Sequence, residues 1–324
     1  MKTHIEENAQ YQNEKEEQKP EKLVAPQAGP WKFKIIYHVV VVLLVSHLFG
    51  FYGGYLLVKK AKIQTIIFTV FLTSISMLGI TAGAHRLWSH RAYKAKTPLQ
   101  ILLAIFFLLT SQRSIVTWVE NHRLHHRFSD TDGDPHNATR GFFFSTIGWT
   151  AVEPHPIVVR EKKLIDMTDL LQNPIIRFQH KYIEIILIVV AYVIPTYIPT
   201  LWGESLYNAY FINFFRLVVV LTIAGLINSV AHIWGYKPID KTVVGTQFLA
   251  VGVLAFGEGF HNYHHVFPYD YRTSEVGDTK YNFTALFIDL MAKIGWAYDL
   301  KAVPEETVRS RVLRKGDGSD KYYL

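Results

Sequence analysis

Residues 63–90 read "IQTIIFTVFLTSISMLGITAGAHRLWSH": an apolar run without a charged side chain from 63 to 84, ending directly on two histidines, His85 and His90. A helix rises ~1.5 Å per residue and needs about 20 apolar residues to cross ~30 Å of hydrocarbon, so this stretch specifies a membrane-spanning helix. It delivers its histidines to the membrane surface. On the N-terminal side the short joint "KKAK" (59–62) separates it from a second apolar run at 36–58, which makes the two an antiparallel hairpin of spans. On the C-terminal side, "PLQILLAIFFLLTSQ" (98–112) is too short for a comfortable span and reads as a buried or interfacial helix. A polar stretch, 127–180, carries the turn signals "DTDGDP" and "HP", and two more spans follow at 182–202 and 211–232. Pro195 and Pro199 in the third span predict a kink near Pro195, which a membrane helix tolerates when neighbours satisfy the freed carbonyls.

These elements predict an all-α integral membrane protein with four transmembrane helices and a helical cap built from residues 85–181 and 233–300. Together with the spans, the cap forms one domain over 35–300. The charges of both signs in residues 1–34, with no early apolar segment, predict a disordered tail and no cleavable signal peptide. Residues 301–324 read as a second tail. Four spans place both tails and the cap on one side. Lys32, Lys34, Arg86, Arg91, Lys94, Lys96, Lys237 and Lys241 mark that side as cytosolic, whereas Lys59, Lys60 and Lys62 in the opposite joint run against the rule. The net charge is +7, yet no basic stripe with interleaved aromatics exists, so nucleic acid is not expected as a partner; the lipid bilayer is. There is no cysteine, which excludes thiolate catalysis, disulfides, iron–sulfur clusters and Cys-ligated zinc.

Eight of the fifteen histidines fall in three clusters: the pair above, "HRLHH" (His122, His125, His126) and "HNYHH" (His261, His264, His265). On a helix, positions i, i+3 and i+4 share one face, so each triplet presents three imidazoles together. His85 and His90, five apart, diverge by ~140° on a regular helix and converge only through an irregular turn. Crowded imidazoles repel as they protonate near pH ~6.5 unless a cation holds them neutral. The ligands are too many for one tetrahedral zinc and point to two first-row ions of octahedral leaning, with iron the usual choice where dioxygen must bind. A haem-binding membrane electron carrier is the alternative from another class, but it needs paired histidines inside the spans, and these lie just outside.

"GAHRLWSHRAYKAK", "NHRLHHRFSDTDGDPHNATRGFFFSTIGW" and "GEGFHNYHHVFPYDYRTSE" resemble the three histidine boxes of the membrane acyl-CoA desaturases, in unbroken register from about 30 to 300. The resemblance implies a diiron centre on the cytosolic face of an endoplasmic-reticulum membrane protein. It further implies a fatty acyl-CoA substrate, O2, and electrons from cytochrome b5 with its NADH-dependent reductase. A ninth ligand is implied by "NSVAHIWG": His232, with Asn228 one turn earlier acting through a water. A bent acyl tunnel serves as the ruler in that family. Gln112 and Trp118 match two residues supporting its bend, but a third position, threonine in the family, is Ala224, which leaves the double-bond position open. The resemblance implies that Glu120-Asn121 and Glu153-Pro154 stand where relatives carry basic residues toward CoA, which weakens that binding unless Arg127, Arg160, Lys162 or Lys163 compensates. "VGTQ" (244–247) and "KGDGSD" are similar to segments of moth pheromone-gland Δ11-type desaturases, which favours that type over a housekeeping Δ9 enzyme. A hydroxylase or conjugase on the same scaffold, and a silent relative, stay as alternatives. His4, His38, His47, His136, His155 and His180 read as structural, and cytosolic placement predicts that the sequons at Asn137 and Asn282 carry no glycan.

Overall fold

A computed structural model describes residues 31–274 and 281–320. The expected N-terminal tail up to residue 30, with His4, therefore lies outside the described residues, as do 275–280 of the cap and the last four positions. The described residues are mostly helical. Helix α1 (Tyr37–Lys59) and α2 (Ile63–Ser89) form the hairpin; α3 (Thr97–Leu108) and α4 (Ile115–Phe128) lead into the cap. The cap continues through α5 (Phe142–Thr146), α6 (Pro156–Lys162), α7 (Thr168–Gln172) and α8 (Pro174–Lys181). Two spans follow, α9 (Ile183–Trp202) and α10 (Leu206–Ile233), and then α11 (Leu249–Leu254), α12 (His261–Val266), α13 (Phe283–Lys293) and α14 (Glu305–Lys315). Among the described residues the only strands are Lys94–Ala95 and Ala297–Tyr298, paired antiparallel.

α1, α2, α9 and α10 are long and apolar enough to cross a membrane. On α1 the outward faces are apolar, with Val41, Val42, Leu44, Leu48 and Phe51 all exposed, as side chains that meet lipid must be. Its inner face approaches α10 so closely that a Cβ at Gly53 would collide with the Phe211 backbone. Small residues allow this packing where the hydrophobic effect does not drive helices together. Expected at 211, the last span begins at Leu206 instead, because Ser205 caps it: its Oγ accepts from the Asn208 amide at 3.1 Å. The polar-looking 206–210 is thus helix, not loop.

The winding of α9 changes through a π segment, Ile188–Val193, just before Pro195, and ends as a 3₁₀ segment, Ile198–Trp202. Proline lacks an N–H and so frees the carbonyl four residues back, Ala191 O. That oxygen accepts from Asn213 Nδ2 (2.9 Å) and Arg216 Nη2 (3.2 Å) of α10. Arg216 is fully buried and also donates to Leu109 O (2.7 Å), Ser76 Oγ (3.1 Å) and Asn213 Oδ1 (2.9 Å), so one guanidinium ties α10 to α2, α9 and the end of α3.

α3 buries Leu99, Leu103 and Phe107 and exposes Ile101 and Ile105 on its opposite side. The chain then turns through two left-handed residues, Ser111 (φ 58°) and Arg113 (φ 65°), and restarts as α4, capped by Ser114. The region read as a C-terminal tail is not one throughout. α14 packs Val308 and Val312 against Ile239, Phe260, Tyr263 and Phe267, and Arg311 Nε donates to the buried Asp240 at 2.8 Å. Two valines four apart amid charges are enough for a short helix that closes over the cap.

Candidate metal centre

The site grows from the C-terminal end of α2. From Gly79 to Ser89 this helix is π-wound, and the His90 amide donates to His85 O at 3.1 Å, an i→i+5 bond. This is the irregular turn that the five-residue spacing requires; it brings the rings of His85 and His90 to 4.9 Å. α4 and α12 each present their i, i+3, i+4 triplet to the same space, and the end of α10 adds His232.

Nine imidazoles converge in two groups: His85, His90, His122, His126 and His264 in one, and His125, His232, His261 and His265 in the other. Within each group the ligand nitrogens lie within 4.8 Å of one another. Nε2···Nε2 separations are 2.8 Å for His90–His122, 3.0 Å for His85–His264, and 2.9 Å for His126–His264, His232–His261 and His261–His265. A metal–imidazole bond of about 2.0–2.1 Å with a right angle at the metal puts neighbouring nitrogens about 2.9 Å apart, so these spacings match the edges of a coordination octahedron. Hydrogen bonds do not account for them. His264 Nε2 meets two other Nε2 atoms, and one ring N–H cannot serve both.

Three carboxylates orient this array from behind. His85 Nδ1 donates to Glu258 (2.8 Å), His125 Nδ1 to Asp134 (2.8 Å) and His232 Nδ1 to Asp130 (3.0 Å), which leaves each of these rings with its Nε2 lone pair facing inward. Glu258 is itself bound by Arg86 at 2.8 Å, both fully buried. Burial first, and then the neighbouring imidazoles and guanidiniums, hold His90, His122, His126, His261, His264 and His265 well below the ordinary histidine pKa. Those six rings are neutral donors at physiological pH. For His125 burial acts downward, but the charge and hydrogen bond of Asp134, with the charge of Asp130, outweigh it and raise its pKa. For Asp134 burial acts upward but His125 and His136 outweigh it and lower its pKa. These carboxylates were missed in the sequence because "SDTDGDP" reads only as a turn; the one available signal was Glu258 beside the third box.

His136, read as structural, forms a third cluster with His125 and Asp134, its ring 4.4 Å from that of His125. His155 Nδ1 caps α6 by accepting from the Ile157 amide, and His180 meets Ser114 Oγ at 2.8 Å. Asn228 sits half-buried one turn before His232. Both sequon asparagines are buried and hydrogen-bonded: Asn137 accepts from Thr139, and Asn282 caps α13.

Trp118 Nε1 donates to Gln112 Oε1 at 3.1 Å, and its indole stacks on His122 with centroids 5.0 Å apart. An indole N–H only donates, so the amide must turn its oxygen to it; Gln112 Nε2 is then buried with no hydrogen-bond partner among the described residues. Ala224 packs with Trp118 against the central core and offers no hydroxyl. Asn121 is half-buried on α4, next to His122. Glu120 and Glu153 are paired within the chain, Glu120 with Lys162 and Glu153 with Lys34, each at 3.3 Å.

Residues 61–280 match the fatty acid desaturase family. The chain is 52% identical over 305 residues to a Choristoneura rosaceana protein named acyl-CoA Delta(11) desaturase, covering 94% of this chain and 91% of that one. A Trichoplusia ni protein of the same name is 51% identical, over 94% and 87%. A Bombyx mori protein named (11Z)-hexadec-11-enoyl-CoA conjugase is 51% identical, over 93% and 92%. The chain is therefore a member of the fatty acid desaturase family, an oxidoreductase set in a membrane by four apolar helices.

Proposed function

We propose that the protein is a fatty acyl-CoA desaturase of Δ11 type, acting in the endoplasmic-reticulum membrane with its cap and both termini in the cytosol. Two irons fit the site: His85, His90, His122, His126 and His264 would hold one, and His125, His232, His261 and His265 the other, with Asn228 reaching the second through a water. The single observation that carries this reading is the convergence of nine imidazoles in two groups whose nitrogens stand at the spacing of octahedral edges. When bound, the iron pair supplies the activation of O2 needed to remove two hydrogens from an unactivated acyl chain. Overall, O2 takes two electrons from the C–H bonds and two from cytochrome b5 and leaves as water.

The protein's own groups set the rest. Glu258, Asp134 and Asp130 hold three rings in the tautomer that points Nε2 inward, and a cage of nitrogens keeps the centre more positive than carboxylates would. Gln112 and Trp118, hydrogen-bonded to each other beside His122, would wall the acyl chain, with Asn121 and Ala224 as further lining residues. The names of the Choristoneura and Trichoplusia relatives favour Δ11, and the Bombyx name favours a second reading, a conjugase that takes a monounsaturated chain.

Expression in yeast lacking its own desaturase tests both. Saturated acyl chains should gain one double bond at carbon 11, with two irons per purified chain; a diene formed only from a fed 11-monoene selects the conjugase. An oxygenated product, or no product despite full iron loading, rejects desaturation.

A further inference from the structure

Residues 243–247, which include "VGTQ", pass between the end of α10 and α12, the two helices that carry His232 and the His261/His265 pair. The last carbonyls of a helix have no partner inside it. Here one residue of the strap takes two from the end of α10: the Thr246 amide donates to Ala231 O at 2.7 Å and its hydroxyl to Trp234 O at 2.6 Å. These acceptors lie on either side of His232. A two-way backbone pair between Gln247 and Tyr236 (2.7 and 3.1 Å) fixes the same register.

On the other face the strap meets α12 through Asn262, the residue after His261. Its carboxamide is fully buried and every bond is made: Nδ2 donates to Gly245 O (2.9 Å) and Asp240 O (3.0 Å), and Oδ1 accepts from the Ile239 and Asp240 amides (2.9 and 3.0 Å). At Gly245 the backbone lies against the ligands themselves. A Cβ there would stand 2.7 Å from His265 Cδ2 and 2.8 Å from His261 O. Within the four-nitrogen group, two helices from different parts of the chain must hold nitrogens 2.9 Å apart, and this strap bridges them.

We infer that Gly245 and Thr246 are positioning residues of the four-nitrogen group: Thr246 sets the height of His232, and the bare Gly245 backbone sets how near His261 and His265 come. The inference rests on the diiron reading and concerns the second ion only. The five-nitrogen group meets the strap only through His264, its one ligand on α12, so its iron should depend on the strap less.

The test uses the full-length protein in detergent, stripped with chelator and titrated with Fe(II), with iron per folded chain, binding affinity and the Mössbauer spectrum as readouts. Thr246→Val keeps the shape and removes the hydroxyl; Gly245→Ala adds the colliding methyl. Each should weaken one of the two sites roughly 10- to 100-fold, the cost typical of disturbed ligand support, so that about one iron per chain survives mild chelation. The spectral component of one site should fade and the other persist. Thr246→Ser should restore both. Gly53→Ala, which disturbs the remote α1–α10 contact, should lower the melting temperature without changing iron per folded chain. If Thr246→Val and Gly245→Ala bind two irons with wild-type affinity and spectrum, the positioning role is overturned while the desaturase reading stands. Wild-type protein that binds no iron overturns both.

Discussion

His264 shows at the scale of one residue what the sequence can and cannot reveal. Its membership in an i, i+3, i+4 triplet is legible from spacing, and with it the face it shares with His261 and His265. Its position between His85 and His126, residues 179 and 138 places away, is not, because nothing local records which triplets meet. The same holds for Asp130, Asp134 and Glu258, whose purpose depends on a ring that folding brings to them. Glu258 does double work in that it orients His85 and neutralises Arg86, both fully buried. Removing one partner of such a pair leaves a buried charge exposed to no water, at a cost of about 3–5 kcal/mol. Glu258→Gln should therefore lower the melting temperature markedly and reduce iron affinity on the order of tenfold or more, as thermal denaturation and chelator competition would report. Unchanged iron affinity would show that Glu258 serves Arg86 alone. At Gln112 the unmet Nε2 donor is a further lever: Ala224→Ser adds a hydroxyl on the same core cluster that Trp118 packs against, and should shift the distribution of double-bond positions among lipid products in yeast. An identical distribution would remove Ala224 from the wall of the acyl chain.

Elements were legible where one signal dominated. α1 and α2 follow from length and apolarity, and the irregular winding at the end of α2 follows from the five-residue histidine spacing. α14 escaped because its signal is two valines among charges, and its reason to be a helix is the apolar surface of Ile239, Phe260 and Phe267 beneath it. Tertiary packing, not local propensity, decides such a segment. Arg216 escaped for the opposite reason: a cation in an apolar run looks like an interruption, yet it satisfies the carbonyl that Pro195 frees and the one that ends α3. The left-handed residues Ser111 and Arg113 cost energy and persist only where their surroundings hold them, and Arg216 grips Leu109 just before them. Arg216→Met should leave Leu109 O, Ser76 Oγ and Asn213 Oδ1 without their donor inside the helix bundle, while Ala191 O keeps Asn213 Nδ2. A loss of about 3 kcal/mol or more is expected, from several unmet bonds at about 1–3 kcal/mol each, read as a lowered melting temperature in detergent. A melting point within a degree of wild type would mean that water replaces the guanidinium.

For the molecule as a whole, four of the described helices are long and apolar enough to cross a membrane, but the side on which the cap lies rests on charge alone. Here the sequence disagrees with itself, since Lys59, Lys60 and Lys62 crowd the short joint opposite the cap. The fold lessens the conflict for one of them: Lys62 Nζ donates to Trp202 O at 3.2 Å, and its amide donates to Glu204 Oε2 at 2.9 Å, so an acid sits against the same joint. Across the membrane, the cap's cationic residues are spread over many loops and helices, which is the broader bias. With no native cysteine, the chain allows a clean measurement. Lys60→Cys and Arg314→Cys each place one thiol at an exposed position, on the joint and on α14 respectively. In sealed microsomes a membrane-impermeant maleimide should label the α14 thiol at once, and the joint thiol only after detergent opens the vesicles. The reverse pattern would place the cap in the lumen, away from any cytosolic electron donor, and the proposed partnership with cytochrome b5 would fall with it.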